Sequence, residues 1–360
     1  MIATSIRMTD ADLILLQRAG ERHVGFSLTK ACPLSCAHCS AATVPASMRR
    51  AVSMPAALVR RCCAEMPALA ARGVRAISLT GGEPVLCLDD VAALSRAARE
   101  AGIRTTLVTG LYWAAGPASR RRVIAALPDV DCWNISWDRF HAAEVRLTDV
   151  AHAARAIRDT GAAVTIRVAV DDPATPEDEA MYDRLVDAIP DVEIVVQSVR
   201  PVGRAGGAVP PADPPPRAAG DVSAPSWPCL STGPLVMPDG SARPCCSSMM
   251  DEPDHPFAAR SAAHGLAALH RDWTDDPLLL LLRGIGFAPI IRLIGEIAPD
   301  HALAKGSAAH PCDVCATVFG DRELVGRIKA ACTREPLAGL ARHAAAAVLD
   351  HGAVRETVDA

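Results

Sequence analysis

The chain has 360 residues, half of them hydrophobic, and a formal net charge of −4. That length can bury a large core, and more than one. The slight negative charge, scattered basic residues and an aromatic content of 3 % argue against a nucleic-acid surface, an anionic-membrane surface or a stacking platform for single strands.

From His23 to Val199 short β-rich runs alternate with longer helical patterns. The predicted strands are His23–Leu28, Arg75–Leu79, Ile103–Val108, Val130–Ser136, Val164–Val170 and Glu193–Gln197. Helices are predicted between them, among others at Pro55–Arg72, Asp89–Ala101 and Glu177–Ile189. Such repeats predict a parallel sheet with crossover helices. Six units fall short of the eight of a closed barrel, so the expected fold class is α/β, a partial (β/α)6 TIM-like barrel with its chemistry at the strand C-termini.

Residues 206–228 are rich in Gly, Pro and Ala, including Pro214-Pro215-Pro216, and read as an extended linker. Beyond it, Gly233–Met237, a turn at Asp239-Gly240 and Ser241–Pro244 predict a small β-hairpin. Residues 251–310 read as loop plus apolar helices, and 321–360 as an Ala-rich helical tail. The N-terminus lacks the order of a signal peptide, and Arg283, Arg292 and Glu296 interrupt the apolar runs near them. The expectation is a soluble cytoplasmic protein with no membrane and no nucleic-acid partner.

Thirteen cysteines stand against that background. Cytosolic thiols stay reduced, so clustered cysteines point to metal rather than disulfides. Cys32-Pro-Leu-Ser-Cys36-Ala-His-Cys39 follows directly on the first predicted strand. Three thiolates this close can hold three irons of a [4Fe–4S] cluster and leave the fourth open. S-adenosylmethionine (SAM) can chelate an open iron through its amino and carboxylate groups. The competing reading is a zinc site, to which His38 would add a ligand. One β/α unit later, Thr80-Gly81-Gly82-Glu83-Pro84 ends the second predicted strand. There the glycines allow close approach of backbone to a ligand, and the carboxylate can take an ammonium group.

With these motifs in that order, residues 20–205 resemble the radical SAM superfamily, whose fold is a partial (β/α)6 barrel. The resemblance implies that the Gly81, Gly82, Glu83 and Pro84 strand end contacts the SAM methionine moiety. Ser136-Trp137-Asp138 looks like the family's fourth-strand Ser-x-Asp, near the SAM ribose; a strand end followed by a capped helix is the alternative. The third strand departs from the family pattern: Thr109-Gly110-Leu111 stands where many members have Thr-Asn-Gly. Gln197 to Ala205, reading QSVRPVGRA, is similar to the sixth-strand end of members that carry an added cluster domain.

A second cysteine set comprises Cys229, Cys245 and, later, Cys312 and Cys315. Four thiolates would saturate a second [4Fe–4S] cluster or hold a structural zinc. Cys-x10-Gly-x4-Cys with its hairpin resembles the opening of SPASM and Twitch auxiliary domains. The shorter run of later cysteines fits a single-cluster, Twitch-like domain over 229–320, a small cysteine-rich α+β unit. Cys246 competes with Cys245 as ligand, and Cys332 is a spare. Cys62, Cys63, Cys87 and Cys132 are given no role.

The resemblance implies reductive cleavage of SAM to a 5′-deoxyadenosyl radical, hydrogen abstraction from a substrate carbon, and an electron donor such as flavodoxin or ferredoxin. Members with auxiliary clusters modify ribosomally made peptides or oxidise small sugars and aminocyclitols. The peptide is the preferred substrate here, with recognition helped by residues 251–310 or by a separate peptide-recognition protein. Cys246 stands where sulfatase-maturing relatives have an Asp, which argues against that activity and leaves the general base unassigned. Arg200 is read as a structural or surface residue rather than an anion ligand. A non-catalytic zinc-binding protein is the reading from a different class.

Overall fold

In the computed structural model the described residues are 19–171, 173–199, 203–205, 233–245, 262–284, 286–305, 311–340 and 343. They fall into two compact units: one holds 24–205 and 236–240, the other the remainder.

The first unit is mixed α/β. Its strands are β1 (His23–Thr29), β2 (Ala76–Gly81), β3 (Arg104–Thr109), β4 (Cys132–Ser136), β5 (Ala163–Val170) and β6 (Glu193–Ser198). They lie in sequence order in one sheet, and each pair from β2 to β6 is parallel. Each predicted strand is present, with ends within two residues of those expected. Helices α1 (Ala56–Ala71), α2 (Leu88–Glu100), α3 (Pro117–Ala126), α4 (Leu147–Arg158) and α5 (Pro176–Ala188) fill the crossovers. This is a central parallel sheet consistent with a partial barrel.

The period-2 pattern fixes which way each strand faces. Ile77 and Leu79 of β2, Leu107 of β3, Trp133 and Ile135 of β4 and Ile166 of β5 are buried. Each such side chain contributes roughly 1.5–3 kcal/mol of burial. The intervening residues Ser78, Thr106, Asn134, Ser136 and Arg167 are only half-buried. Register places Thr106 beside Cys132, Asn134 beside Thr165, Ser136 beside Arg167 and Arg167 beside Val195. One polar face therefore runs across the sheet.

Local chemistry sets the helix ends. Pro176 opens α5, and the Thr175 hydroxyl accepts from the Asp178 N–H while Asp178 takes the Thr175 N–H, a reciprocal cap. In α2, Asp89 and Asp90 lie in the first turn and Arg99 in the last, in the sense favoured by the helix dipole.

In the second unit, helices α6 (Leu266–Thr274), α7 (Pro277–Gly284), α8 (Phe287–Ile297), α9 (Pro311–Gly320) and α10 (Arg322–Cys332) surround one apolar core containing Trp273, Leu278, Phe287, Ile294, Phe319 and Ile328. The greasy run at 277–282 is thus a core helix, and the Arg283 that ends it lies over the Trp273 ring at 4.2 Å and pairs with Glu21 at 2.7 Å. Two short strands, β7 (Leu235–Val236) and β8 (Ala242–Arg243), flank the predicted turn, which belongs to the 236–240 segment of the first unit; there Gly240 sits at φ +83° and donates to the Met237 carbonyl. The expected linker 206–228 lies outside the described residues. Among the described residues no helix is long and apolar enough to cross a membrane.

Candidate active site

The three motif cysteines occupy the loop that leaves β1. Its neck is closed by a two-residue parallel pairing, Ala31 with Val44 and Cys32 with Pro45, reinforced by the Val44 N–H to the Lys30 carbonyl at 2.9 Å. Between these lies an irregular segment in which Cys36 is buried and Cys32 and Cys39 are partly exposed. None of the described cysteines is in a disulfide. Ser35 is pinned by Glu144, whose carboxylate accepts from the Ser35 N–H at 2.7 Å and hydroxyl at 3.0 Å.

The thiols are not equivalent. Burial, with the nearby Glu83 charge adding to it, pushes Cys32 up to about 12 despite a bond from the Leu34 N–H. Burial also acts on Cys39, but bonds from the Thr43 N–H and hydroxyl, then the Arg204 charge, bring its thiol below the ordinary value. The Cys39 Sγ lies 3.6 Å from Thr43 Oγ1.

The Gly81-Gly82-Glu83 strand end lies directly against the start of this loop. The Gly82 N–H donates to the Thr29 carbonyl at 2.6 Å, and the Glu83 N–H to the Ala31 carbonyl at 2.8 Å. A side chain on Gly81 would lie 2.4 Å from the Thr29 carbonyl oxygen, and one on Gly82 2.2 Å from that of Ala31. The close approach these glycines permit is to the protein's own backbone, next to Cys32. Pro84, buried, opens a short 3-10 turn capped by Glu83.

Glu83 is fully buried. Its carboxyl accepts from the Thr109 hydroxyl at 3.0 and 3.1 Å, the Gly110 N–H at 2.9 Å and the Val85 N–H at 3.2 Å. Burial raises it to about 7 against those bonds. Gly110 explains the departure in the third strand. A side chain there would lie 2.6 Å from Leu34 Cδ1, 3.7 Å from Glu83 Oε2 and 3.9 Å from His141 Cδ2. Residues from the cysteine loop and from the ends of β2, β3 and β4 converge at that point, and Leu34 fills the space an Asn would need.

At the end of β4, the Asp138 carboxylate is spent within the protein. Oδ1 accepts from the Phe140 N–H at 2.9 Å, the His141 N–H at 3.1 Å and His141 Nδ1 at 2.8 Å; Oδ2 accepts from the Ala169 N–H at 3.2 Å, with His38 Nε2 3.5 Å away. The ligand atoms of His38, Asp138 and His141 lie within 4.8 Å of one another, a spacing that suits a metal ion. The Asp138 carboxylate, filled by the Phe140, His141 and Ala169 donors, makes the group a hydrogen-bonded network. Burial alone would lower His141, but the Asp138 bond and then Cys36 raise it to about 10.

Two further polar groups were not apparent from the sequence. Arg167, beside Ser136, has a buried Nε without a hydrogen-bond partner, and the buried Asn134 Oδ1 of β4 is likewise unpartnered. An unpaired guanidinium nitrogen in a half-buried position is costly unless something else meets it. The signal was a lone charge inside the otherwise apolar run AVTIRVAV.

Of the second cysteine set, Cys245 follows β8, while Cys312 and Cys315 lie three residues apart on α9, a spacing that puts them on one helix face. Cys245 and Cys315 both pack against the core that contains Cys332, which is 1 % exposed. Cys229, Cys246 and Arg200 lie outside the described residues. Cys62 and Cys63 sit in α1, Cys87 just before α2, and Cys132 at the start of β4.

Among curated proteins none matches the chain. The crystal structure of SuiB from Streptococcus suis is similar at a TM-score of 0.47 and 15% identity, over 78% of this chain and 75% of that one. The family model described as the radical SAM superfamily matches residues 26–141, which span β1 through the end of β4 and include Cys32, Cys36, Cys39 and Glu83. A radical SAM domain occupies that part of the chain.

Proposed function

We propose that the chain is a radical SAM enzyme that oxidatively modifies or cross-links a ribosomally made peptide. The observation that carries the radical SAM reading is the meeting of Leu34, Glu83, Gly110 and His141 within 4 Å of a single point at the strand ends. The donor set fits: three thiols on one loop, with no disulfide and no fourth cysteine in the motif.

In this reading Cys32, Cys36 and Cys39 hold a [4Fe–4S] cluster with one open iron. Bound there, the cluster and SAM supply reductive cleavage of SAM to a 5′-deoxyadenosyl radical. Gly81, Gly82 and Pro84 shape the wall beside the methionine moiety, and Glu83, buried and bonded to Thr109, Gly110 and Val85, would take its ammonium group in exchange for one of those bonds. Arg167, beside Ser136 in the register of β4 and β5, would supply a charge for a carboxylate, and Ser136 would lie near the ribose. Asp138 acts by fixing the 138–141 turn behind them. Cys229, Cys245, Cys312 and Cys315 hold a second [4Fe–4S] cluster, and a flavodoxin or ferredoxin supplies electrons.

The peptide is favoured by the open side of the sheet. On the row that includes Ser136 and Arg167, Val195 of β6 is 39% exposed, and Glu193 and Gln197 on the same face are exposed as well. Among the described residues this face of β6 is exposed, which suits a substrate that extends beyond the strand ends, including one presented by a separate recognition protein. The test is mass spectrometry of candidate peptides, and of aminocyclitols, after incubation with the anaerobically reconstituted chain, SAM and reductant. Loss of two hydrogens from a peptide alone is expected. Oxidation of the aminocyclitols alone would overturn the peptide assignment.

A further inference from the structure

The stretch QSVRPVGRA contains Arg204, whose charge bears on Cys39 and whose donors reach further into the cysteine loop. Arg204 lies in sequence about 165 positions beyond the cysteine loop, yet that loop is what it binds. Its backbone N–H donates to the Cys39 carbonyl at 3.0 Å. Its side-chain Nε donates to the Cys36 carbonyl at 3.1 Å, and Nη1 lies 3.4 Å from the Thr43 carbonyl. A segment without helix or sheet has no ladder to satisfy its carbonyls, so donors must come from elsewhere. Here one residue supplies them for both flanks of the Cys36–Cys39 turn. Its planar fork of donors fits such paired acceptors in a way a lysine cannot.

Gly203 makes the approach possible. It sits at φ +60°, and a side chain there would lie 2.4 Å from the Ser40 carbonyl oxygen and 2.5 Å from that of Cys39. Both are backbone atoms with no freedom to turn aside. Ala205 beyond it is fully buried, which anchors the other end.

We infer that Gly203 and Arg204 form a latch that sets the shape of the cysteine loop, and that Arg204 is a positioning residue that places a permanent positive charge beside the cluster held there. This rests on the radical SAM reading. Reduction adds one negative charge to a cluster, so a nearby guanidinium favours the reduced form. Without it the midpoint potential moves to more negative values, and less cluster is reduced at a given donor potential. For a one-electron couple a tenfold change in the reduced-to-oxidised ratio corresponds to 59 mV.

The experiment is an EPR-monitored redox titration of the full-length, anaerobically reconstituted chain, following the signal that changes when SAM is added, alongside iron per chain. Wild type, Arg204→Gln, Arg204→Lys and Gly203→Ala are compared. Arg204→Gln is expected to shift that signal to a more negative potential, with a roughly tenfold lower reduced-to-oxidised ratio at the wild-type midpoint. Arg204→Lys keeps the charge and stays closer to wild type in potential. Gly203→Ala displaces the loop and lowers iron loading. Wild-type iron and wild-type potential in Arg204→Gln would overturn the inference, as would identical shifts in the Gln and Lys variants. A wild-type chain with no SAM-responsive signal would instead overturn the radical SAM reading, so the two failures are distinct.

Discussion

Replacing Cys32, Cys36 and Cys39 together with alanine is expected to lower the iron of the anaerobically reconstituted chain from about eight atoms to about four. The loop that carries them is closed at its neck by backbone pairing and pinned by Glu144, so its shape does not depend on the thiols. The variant should therefore keep its fold and lose the metal. On the proposed reading the remaining iron is held by the second cysteine set, of which Cys312 and Cys315 lie on α9. Alanine at Cys62, which is 1 % exposed within α1, is the control. It sits in an apolar setting that pushes its thiol up to about 12, mainly by burial, and its loss should leave iron unchanged. An iron content that fell equally in the triple variant and the control would contradict the assignment.

Gly82→Ala is expected to have the largest effect of any single methyl addition in the site. The new carbon would lie 2.2 Å from the Ala31 carbonyl oxygen, 2.6 Å from its carbon and 3.0 Å from that of Lys30. All three are backbone atoms, so no rotamer change relieves the clash. Relief requires parting the β2 end from the first residues of the cysteine loop, which breaks the Gly82 bond to Thr29 and the Glu83 bond to Ala31. Overpacking and the lost bonds together cost about 2–4 kcal/mol. Urea denaturation of the metal-free chain measures this, and iron at the first cluster should fall in parallel. Gly116→Ala, where a side chain would meet nothing within 4 Å, should cost no more than about 1 kcal/mol, through the loss of a glycine N-cap on α3. A Gly82→Ala chain as stable as Gly116→Ala would show that the strand end does not pack on the loop in this way.

The strands were legible because alternation in a half-buried sheet writes itself into the sequence: Ile77 and Leu79 in, Ser78 and Thr80 out. The cysteine loop and the Gly81-Gly82-Glu83 turn were legible from spacing alone. What the turn is for was less so. Its glycines read as space for a ligand, whereas the space is taken by Thr29 and Ala31, a contact between segments about fifty residues apart that no local pattern encodes. Glycine at 110 read as the loss of an Asn contact, and only packing shows that Leu34 occupies the place. Asp138 read as a ribose ligand or a cap; its four donors from the 140–141 turn and Ala169 speak for the cap. Arg167 and Arg204 carry no local sequence signal that sets them apart from solvated arginines. Their meaning depends on register and on a contact spanning the domain. The helical nature of 277–282 and 287–297 was anticipated, while the role of Arg283, capping Trp273 rather than facing water, was not.

SAM cleavage is proposed to take place at the loop of Cys32, Cys36 and Cys39. The most direct test is quantification of 5′-deoxyadenosine after incubating the reconstituted, reduced chain with SAM, beside the triple alanine variant. Wild type is expected to yield 5′-deoxyadenosine, and the variant none above background. No product from a wild-type chain that carries zinc and no iron would contradict it, and would leave both cysteine sets as structural metal sites.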